Sequence, residues 1–144
     1  MSGYLITLEG IDGSGKTTQA DMLEKKLKSL GKKVILTREP GGVGGAEEIR
    51  ALLVQGSTDR WSSITETLLF FAARRHHLEQ RILPALESGT IVICDRFSDS
   101  TMVYQGGENL KIQELIANLG KLAIGLEPNL TLIIDVDPVK SLNR

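Results

Sequence analysis

The sequence predicts an α/β protein whose parallel sheet is flanked by helices on both faces. Three observations favour this class: short apolar runs rich in β-branched residues recur along the 144 residues, helical patterns lie between them, and a glycine-rich loop follows the first run. The length is typical of one domain, so residues 1–144 are expected to form a single domain.

Four apolar runs predict strands, at residues 4–8, 33–37, 90–94 and 130–136. None of them alternates polar with apolar side chains, which is typical of strands buried on both faces. Parallel sheets of this kind bind ligands beyond the carboxyl ends of their strands. Residues that follow each run are therefore the first candidates for a site.

The first helix is predicted directly after the glycine-rich loop. Leu23, Leu27 and Leu30 share one helical face with Ala20, and Gly31 is placed to end the helix. With the apolar runs before and after it, this helix forms a strand, helix, strand unit.

A longer helix is predicted from a capping box at residues 63–66, which read SITE. Its apolar positions continue until Pro84 disturbs the pattern, and they are Leu68, Phe71, Leu78 and Ile82. This helix is expected to pack its apolar face against the core.

Several other patterns receive ordinary structural interpretations. The glycine-rich segments 40–45 and 105–107 predict loops. His76 and His77 are adjacent on a helix and point apart, which favours a solvated face over a metal site. A turn at the end of the fourth strand is predicted at Asp137, before a proline.

Composition and charge exclude some classes of function. The chain has 17 Lys+Arg against 18 Asp+Glu, a net charge of -1, so it lacks the overall basic field of proteins that bind nucleic-acid backbones. Its one cysteine, Cys94, lies in an apolar run and is expected to be a small buried residue. No signal peptide or membrane-spanning run is evident, so we expect a cytoplasmic protein without nucleic-acid or membrane partners.

The loop GIDGSGKT at residues 10–17 matches the full phosphate-loop pattern between a predicted strand and a predicted helix. Glycines let successive backbone N–H groups face phosphate oxygens, and the helix adds the positive end of its dipole. Lys16 is expected to reach the β- and γ-phosphates, and the Thr17 hydroxyl to bind Mg²⁺. The predicted ATP-binding residues are Gly10, Gly13, Ser14, Gly15, Lys16, Thr17 and Thr18.

A nucleoside triphosphate with Mg²⁺ leaves the phosphate acceptor open between water, a small molecule and a protein. The chain lacks an Asn-Lys-x-Asp segment, which argues against the simplest GTPase. Asp95-Arg96 ends the third strand and Arg38-Glu39 ends the second, so two acids and two arginines are expected at one edge of the sheet. Because arginine forms bidentate contacts with phosphate, a second phosphorylated molecule is favoured as acceptor.

Phe70 and Arg74 lie four residues apart and share a helical face. A ring beside a guanidinium can stack on a base and donate to its carbonyl oxygen, such as O4 of thymine. By itself this pair is better explained as a core aromatic and a surface arginine.

Taken together, these motifs resemble the bacterial thymidylate kinases. The resemblance rests on LEGIDGSGKTT, TREPGG, LLFFAAR, DRF, STMVYQG and PNLTLIIDVDP, which occur in the family's order over nearly the whole chain. It implies a phosphate-loop NTPase fold and transfer of the γ-phosphate of ATP, with Mg²⁺, to thymidine monophosphate for dTTP synthesis. It also implies a cytoplasmic homodimer.

The resemblance implies roles for residues around the phosphates. Asp12 matches a carboxylate near the 3′-hydroxyl of the sugar, Arg38 and Arg96 match arginines about the monophosphate, and Asp95 matches the acid associated with Mg²⁺. The implied catalytic residues are Lys16, Arg38, Asp95 and Arg96. Because the acceptor oxygen is already ionised, no general base is required.

The resemblance also implies contacts to the nucleoside. Phe70 would stack on thymine and Arg74 would bind it, Ser100 would face the base, and Tyr104 would lie beside the sugar and disfavour a 2′-hydroxyl. Gln105 belongs to the same motif, with only a weak role at the base. Glu39 is expected to orient its neighbours.

Members of the family continue past Arg144 with a lid, a fifth strand and a closing helix, and the lid usually supplies catalytic arginines. The sequence is therefore interpreted as truncated before the lid. Two alternatives stay open: a deoxynucleoside kinase with Glu39 as its base, and a nucleotide-binding fragment that does not catalyse.

Overall fold

The structure is a computed structural model that describes residues 2–143. Its strands are β1 (Tyr4–Glu9), β2 (Val34–Arg38), β3 (Ile91–Asp95) and β4 (Leu130–Ile133). Its helices are α1 (Lys16–Ser29), α2 (Gly44–Val54), α3 (Ser63–His77), α4 (Leu83–Glu87), α5 (Ser98–Thr101), α6 (Leu110–Leu119) and α7 (Pro138–Leu142). Short π-helical turns occupy Leu78–Ile82, Met102–Gly106 and Gly120–Ile124.

These elements form two compact units. The first unit comprises residues 2–38, 83–97 and 128–143, and the second comprises residues 39–82 and 98–127. The single domain expected from the sequence stays a prediction.

The first unit is built on a four-stranded parallel sheet in the order β2-β3-β1-β4. All four predicted strands are confirmed, with ends shifted by a few residues. In this register Leu8 of β1 and Arg38 of β2 both lie opposite Asp95 of β3. The carboxyl ends of the three strands therefore meet at one edge.

Helix α1 covers one face of this sheet. Ala20 is buried in a cluster with Ile6, Leu8, Val34 and Ile93. Leu23, Leu27, Leu36, Ile91 and Leu132 pack around that cluster. Each fully buried aliphatic side chain of this kind contributes about 1.5–3 kcal/mol to folding.

The carboxyl end of α1 lies where the sequence predicts it, with one difference. Gly31 has φ 78°, a left-handed conformation that suits glycine after the last turn. Leu30, expected on the packed face, is 60% exposed because it follows the last helical residue, Ser29.

The second unit is helical. Helix α3 begins one residue earlier than the predicted capping box implies: Ser62 is the N-cap, and its Oγ accepts from Thr65 N at 3.1 Å. The predicted apolar face is correct at Phe71 and Leu78, which are buried, and wrong at Leu68, which is 48% exposed.

Helix α2 replaces part of a predicted loop. Only residues 40–43 of the glycine-rich segment precede it, because Gly44 and Gly45 form its first turn. A Cβ on Gly45 would lie 2.6 Å from His76 Nε2, so this glycine lets α2 approach α3 closely. The other predicted loop differs in the same way, since the π-helical turn Met102–Gly106 includes most of it.

None of the helices formed by residues 2–143 is long and apolar enough to cross a membrane.

The position of the α3 cap gives a test of stability. We expect Ser62→Ala to lower the free energy of unfolding by about 1 kcal/mol, because Thr65 N loses its side-chain acceptor. Ser63→Ala is the matched control and should change that free energy by less than about 0.5 kcal/mol. Urea denaturation of both variants measures the difference, and a larger loss for Ser63→Ala would return the cap to the predicted position.

Candidate functional site: a phosphate loop and a buried arginine

The loop between β1 and α1 follows a path that requires glycine at two positions. Gly10 has φ 152°, and a Cβ there would lie 2.7 Å from Ile134 O. Gly13 has φ 77°, and its Cβ would lie 2.5 Å from Ser141 O in α7. The Ser141 hydroxyl also donates to Asp12 O, so α7 holds the backbone of the loop in place.

The loop borders an open cavity of about 380 Å³ in the first unit. The lining residues are Asp12, Gly13, Gly15, Lys16, Thr17, Thr18, Asp95 and Arg96. Most of the predicted phosphate-binding residues of this unit therefore face one space. Gly10 lies at the start of the loop, and Ser14 is buried within it.

Lys16 brings a positive charge to this cavity although its side chain is largely buried. Its Nζ donates to Ile11 O at 3.0 Å. Burial, with a smaller contribution from the Arg96 guanidinium, lowers the pKa of Lys16, while Asp95, Asp12 and Glu9 oppose the shift. A bound anion would offset the cost of holding this ammonium group away from water.

Thr17 and Asp95 lie side by side at the cavity. The Thr17 hydroxyl donates to Asp95 Oδ2 at 3.0 Å. A hydroxyl oxygen and a carboxylate oxygen are donors that Mg²⁺ accepts. The chemistry of this pair fits the metal role predicted for both residues.

Arg96 is held beside the phosphate loop by an ion pair with Asp12. Its Nη2 lies 2.6 Å from Asp12 Oδ1, and the Asp12 side chain is 96% exposed. An exposed pair of this kind adds little stability, but it aims the guanidinium at the phosphate loop. Arg38 is exposed at the end of β2, in register with Asp95.

The second acid expected at this edge is Glu39. Glu39 belongs to the second unit, where it is buried and accepts from Arg74 Nε at 2.6 Å. Its other oxygen lies 3.1 Å from His77 Nδ1. Two side chains of α3 therefore bind this carboxylate, and its convergence with the strand-end arginines stays a prediction.

Arg74 is the centre of this second cluster. It is 2% exposed, its Nη2 donates to Thr101 Oγ1 at 2.9 Å, and its guanidinium lies 5.4 Å from the centroid of the Phe71 ring. It is not the surface arginine that the pattern alone favours. Its salt bridge to Glu39 and its hydrogen bond to Thr101 explain how its charge is tolerated inside the protein.

His77 was predicted to be solvated and is instead fully buried. The spacing contained a signal, since Arg74 and His77 lie three residues apart and share a helical face. Nothing in the local pattern identifies Glu39 as their partner, which comes from 35 residues before Arg74 in the chain.

The other predicted nucleoside contacts lie in the same unit. Phe70 is half-buried on α3, Ser100 is half-buried in α5, and Tyr104 is 54% exposed. Gln105 Nε2 lies 3.4 Å from Glu66 Oε2. Thr101, which accepts a hydrogen bond from Arg74, is not predicted from its sequence pattern although it follows Ser100.

Comparison with known proteins identifies the family. A family model described as thymidylate kinase matches residues 8–144. The thymidylate kinase of Ruegeria pomeroyi is 56% identical over 143 residues, which cover 99% of this chain and 68% of the relative. This chain belongs to the thymidylate kinase family.

Two other thymidylate kinases are also similar to this chain over almost its whole length. The enzyme of Caulobacter vibrioides is 50% identical over 143 residues, covering 99% of this chain and 69% of its own length. The crystal structure of thymidylate kinase from Ehrlichia chaffeensis matches with a TM-score of 0.86 and 44% identity, over 99% of this chain and 82% of that one. The resemblance found in the motifs and the phosphate-loop fold are both confirmed.

The buried cluster of the second unit gives a test of stability. We expect Glu39→Ala to lower the free energy of unfolding by about 3–5 kcal/mol, because it leaves the Arg74 charge buried without its carboxylate. Glu79→Ala is the control, since Glu79 forms a half-exposed pair with Arg75 at the same 2.6 Å. That variant should lose at most about 0.5 kcal/mol. Equal losses in urea denaturation would contradict the structural role of Glu39.

Proposed function

We propose that this protein transfers the γ-phosphate of ATP to thymidine monophosphate (TMP), giving ADP and thymidine diphosphate for dTTP synthesis. The observation that carries the proposal is the cavity at the phosphate loop, which is lined by Lys16, Thr17, Asp95 and Arg96. An oxygen of the TMP phosphate attacks the γ-phosphorus, and the bond from that phosphorus to the bridging oxygen of ADP breaks. The names of the relatives support TMP as acceptor.

The loop would bind the phosphates of ATP. The start of α1 lines this space at Lys16 and Thr17, and the helix dipole adds partial positive charge there. Lys16 Nζ, which donates to Ile11 O at 3.0 Å, would turn to the β- and γ-phosphates. The residues assigned to ATP are Gly10, Gly13, Ser14, Gly15, Lys16, Thr17 and Thr18.

Thr17 and Asp95 would hold Mg²⁺ through oxygen atoms that are 3.0 Å apart. When bound with ATP, Mg²⁺ offsets negative charge on the phosphate oxygens. The two residues have the donor chemistry for this ion, and their contact keeps both oxygens at the cavity.

Arg96 and Arg38 would bind the acceptor phosphate, and Asp12 would bind the 3′-hydroxyl of the sugar. Both arginines lie at the carboxyl edge of the sheet, and Arg96 lines the cavity. The acceptor oxygen is an anion before reaction, so these side chains act by position and charge. Lys16, Arg38, Asp95 and Arg96 form the proposed catalytic group.

In the second unit, Phe70 would stack on thymine and Arg74 would donate to its carbonyl oxygen. Ser100 and Gln105 would contact the base, and Tyr104 would lie beside the sugar. Glu39 and Thr101 fix two nitrogens of Arg74, so its guanidinium has a defined orientation.

The geometry argues against a deoxynucleoside kinase. Such an enzyme needs a base to remove a proton from a hydroxyl, and Glu39 was its candidate. Both oxygens of this buried carboxylate are already close to nitrogens of Arg74 and His77. The proposal is tested by a coupled assay of ADP release with TMP, with thymidine and without acceptor. ADP release with thymidine but not with TMP would overturn it.

The homodimer and the cytoplasmic location implied by the resemblance also stay proposals. Sedimentation of the purified chain over a range of concentrations tests the first. A mass that stays at that of one chain would contradict it.

The metal assignment predicts a change in Mg²⁺ dependence. Thr17→Ala should raise the Mg²⁺ concentration for half-maximal ATP binding by at least about tenfold, because one oxygen ligand is lost. Thr17→Ser keeps the hydroxyl and is the control. Titration of both variants with Mg²⁺ at fixed ATP separates them, and coincident curves would remove Thr17 from the metal site.

The nucleoside assignment predicts a selective loss of TMP. Phe70→Ala should weaken TMP binding by about 1–3 kcal/mol through lost stacking, with ATP affinity unchanged. Leu68→Ala alters an exposed residue of the same helix and should affect neither ligand. Calorimetry with each ligand provides the measurement, and parallel losses for TMP and ATP would place Phe70 elsewhere.

A further inference from the structure

Arg96 has an unusual backbone conformation. Its φ is 71°, and it is the one residue other than glycine within 2–143 with a positive φ. A side chain with a Cβ is disfavoured in this region, so surrounding interactions must hold the residue there.

Three contacts surround the Arg96 backbone. Its N–H donates to Leu8 O at 2.9 Å, and its carbonyl oxygen accepts from the Cys94 thiol at 3.2 Å. The next N–H along the chain, that of Phe97, donates to Glu9 Oε1 at 2.8 Å. The peptide after Arg96 is thus tied to a side chain of β1.

Glu9 is assigned no contact with either substrate, and its burial requires a reason. It is 5% exposed and is the last residue of β1, directly before Gly10 of the phosphate loop. A buried carboxylate is costly unless it is hydrogen-bonded, and its bond to a backbone N–H is charge-assisted and strong. Phe97 is also buried, so its N–H needs an acceptor, which Glu9 provides.

We propose that Glu9 is a positioning residue for Arg96. By accepting from Phe97 N, its carboxylate holds Arg96 in the left-handed conformation that keeps the guanidinium 2.6 Å from Asp12 at the cavity. The inference rests on the proposed function, in which Arg96 binds the phosphate of TMP. Glu9 itself touches neither substrate.

The test compares the affinity of the 144-residue chain for TMP and for ATP by calorimetry. Glu9→Ala should weaken TMP binding by about tenfold or more, because the charge-assisted bond that positions Arg96 is lost. ATP binding should weaken much less, because Arg96 is assigned to the phosphate of TMP. Glu9→Gln keeps an oxygen acceptor for Phe97 N and should restore most of the TMP affinity. An affinity for TMP that stays within twofold of the parent in Glu9→Ala would overturn the proposal.

A matched control separates positioning from general loss of stability. Asn129 Oδ1 accepts from Leu5 N at 2.7 Å, so Asn129→Ala removes a similar side-chain acceptor at the other end of β1. It should leave TMP affinity unchanged at a temperature where the variant is folded. Equal losses of TMP affinity in Asn129→Ala and Glu9→Ala would show that Glu9 acts only on stability.

A double-mutant cycle tests whether Glu9 acts through Arg96. In an Arg96→Ala background, Glu9→Ala should cause almost no further loss of TMP binding. A full additional tenfold loss would contradict the proposal. If the parent chain does not bind TMP, the proposed function fails; if the parent binds TMP and Arg96→Ala binds it equally well, the role of Arg96 fails.

If Glu9→Ala does not fold, Glu9→Asp takes its place. Aspartate is one methylene shorter, so its oxygens withdraw from Phe97 N while the charge is kept. Weak TMP binding by Glu9→Asp with near-parent binding by Glu9→Gln supports positioning through the hydrogen bond. The reverse order would overturn it.

Discussion

The parallel register between β1 and β3 is the constraint on which the first unit depends. It sets Leu8 opposite Asp95, so the phosphate loop that follows β1 starts beside the acid that ends β3 and the arginine that follows it. A shift by one residue would turn every side chain of a strand to the other face of the sheet. The buried apolar residues of β1 and β3 oppose such a shift, and in this way the core also determines the chemistry at the sheet's edge.

Burial of charge follows one rule in both units. Lys16 donates to a backbone carbonyl, the Glu9 carboxylate accepts from a backbone N–H, and Arg74 binds a carboxylate and a hydroxyl. Each charge leaves water only where a specific partner replaces part of its hydration. Groups fixed in this manner need little rearrangement when a ligand binds, which is what preorganised electrostatic catalysis requires.

The sequence predicted those parts of the fold that depend on neighbouring residues. Apolar runs identified the four strands, and the glycine at 31 identified the end of α1. The start of α2 was missed because glycines usually indicate a loop. At Gly45 the glycine instead leaves space for the ring of His76, which a Cβ would contact too closely. The cap of α3 was placed one residue late because two serines stand in succession, and only the backbone decides which of them, Ser62 or Ser63, lies outside the helix.

By itself the sequence determined the phosphate loop and the family, because both are carried by short segments whose residues are contiguous. Tertiary structure alone decided which charges meet. Thr17 and Asp95 are 78 residues apart, and Arg74 and Glu39 are 35 apart, so strand pairing and helix packing bring them into contact. The left-handed backbone of Arg96 is also decided by tertiary structure: a residue with a Cβ disfavours it, and hydrogen bonds donated to β1 by the N–H groups of Arg96 and Phe97 stabilise it.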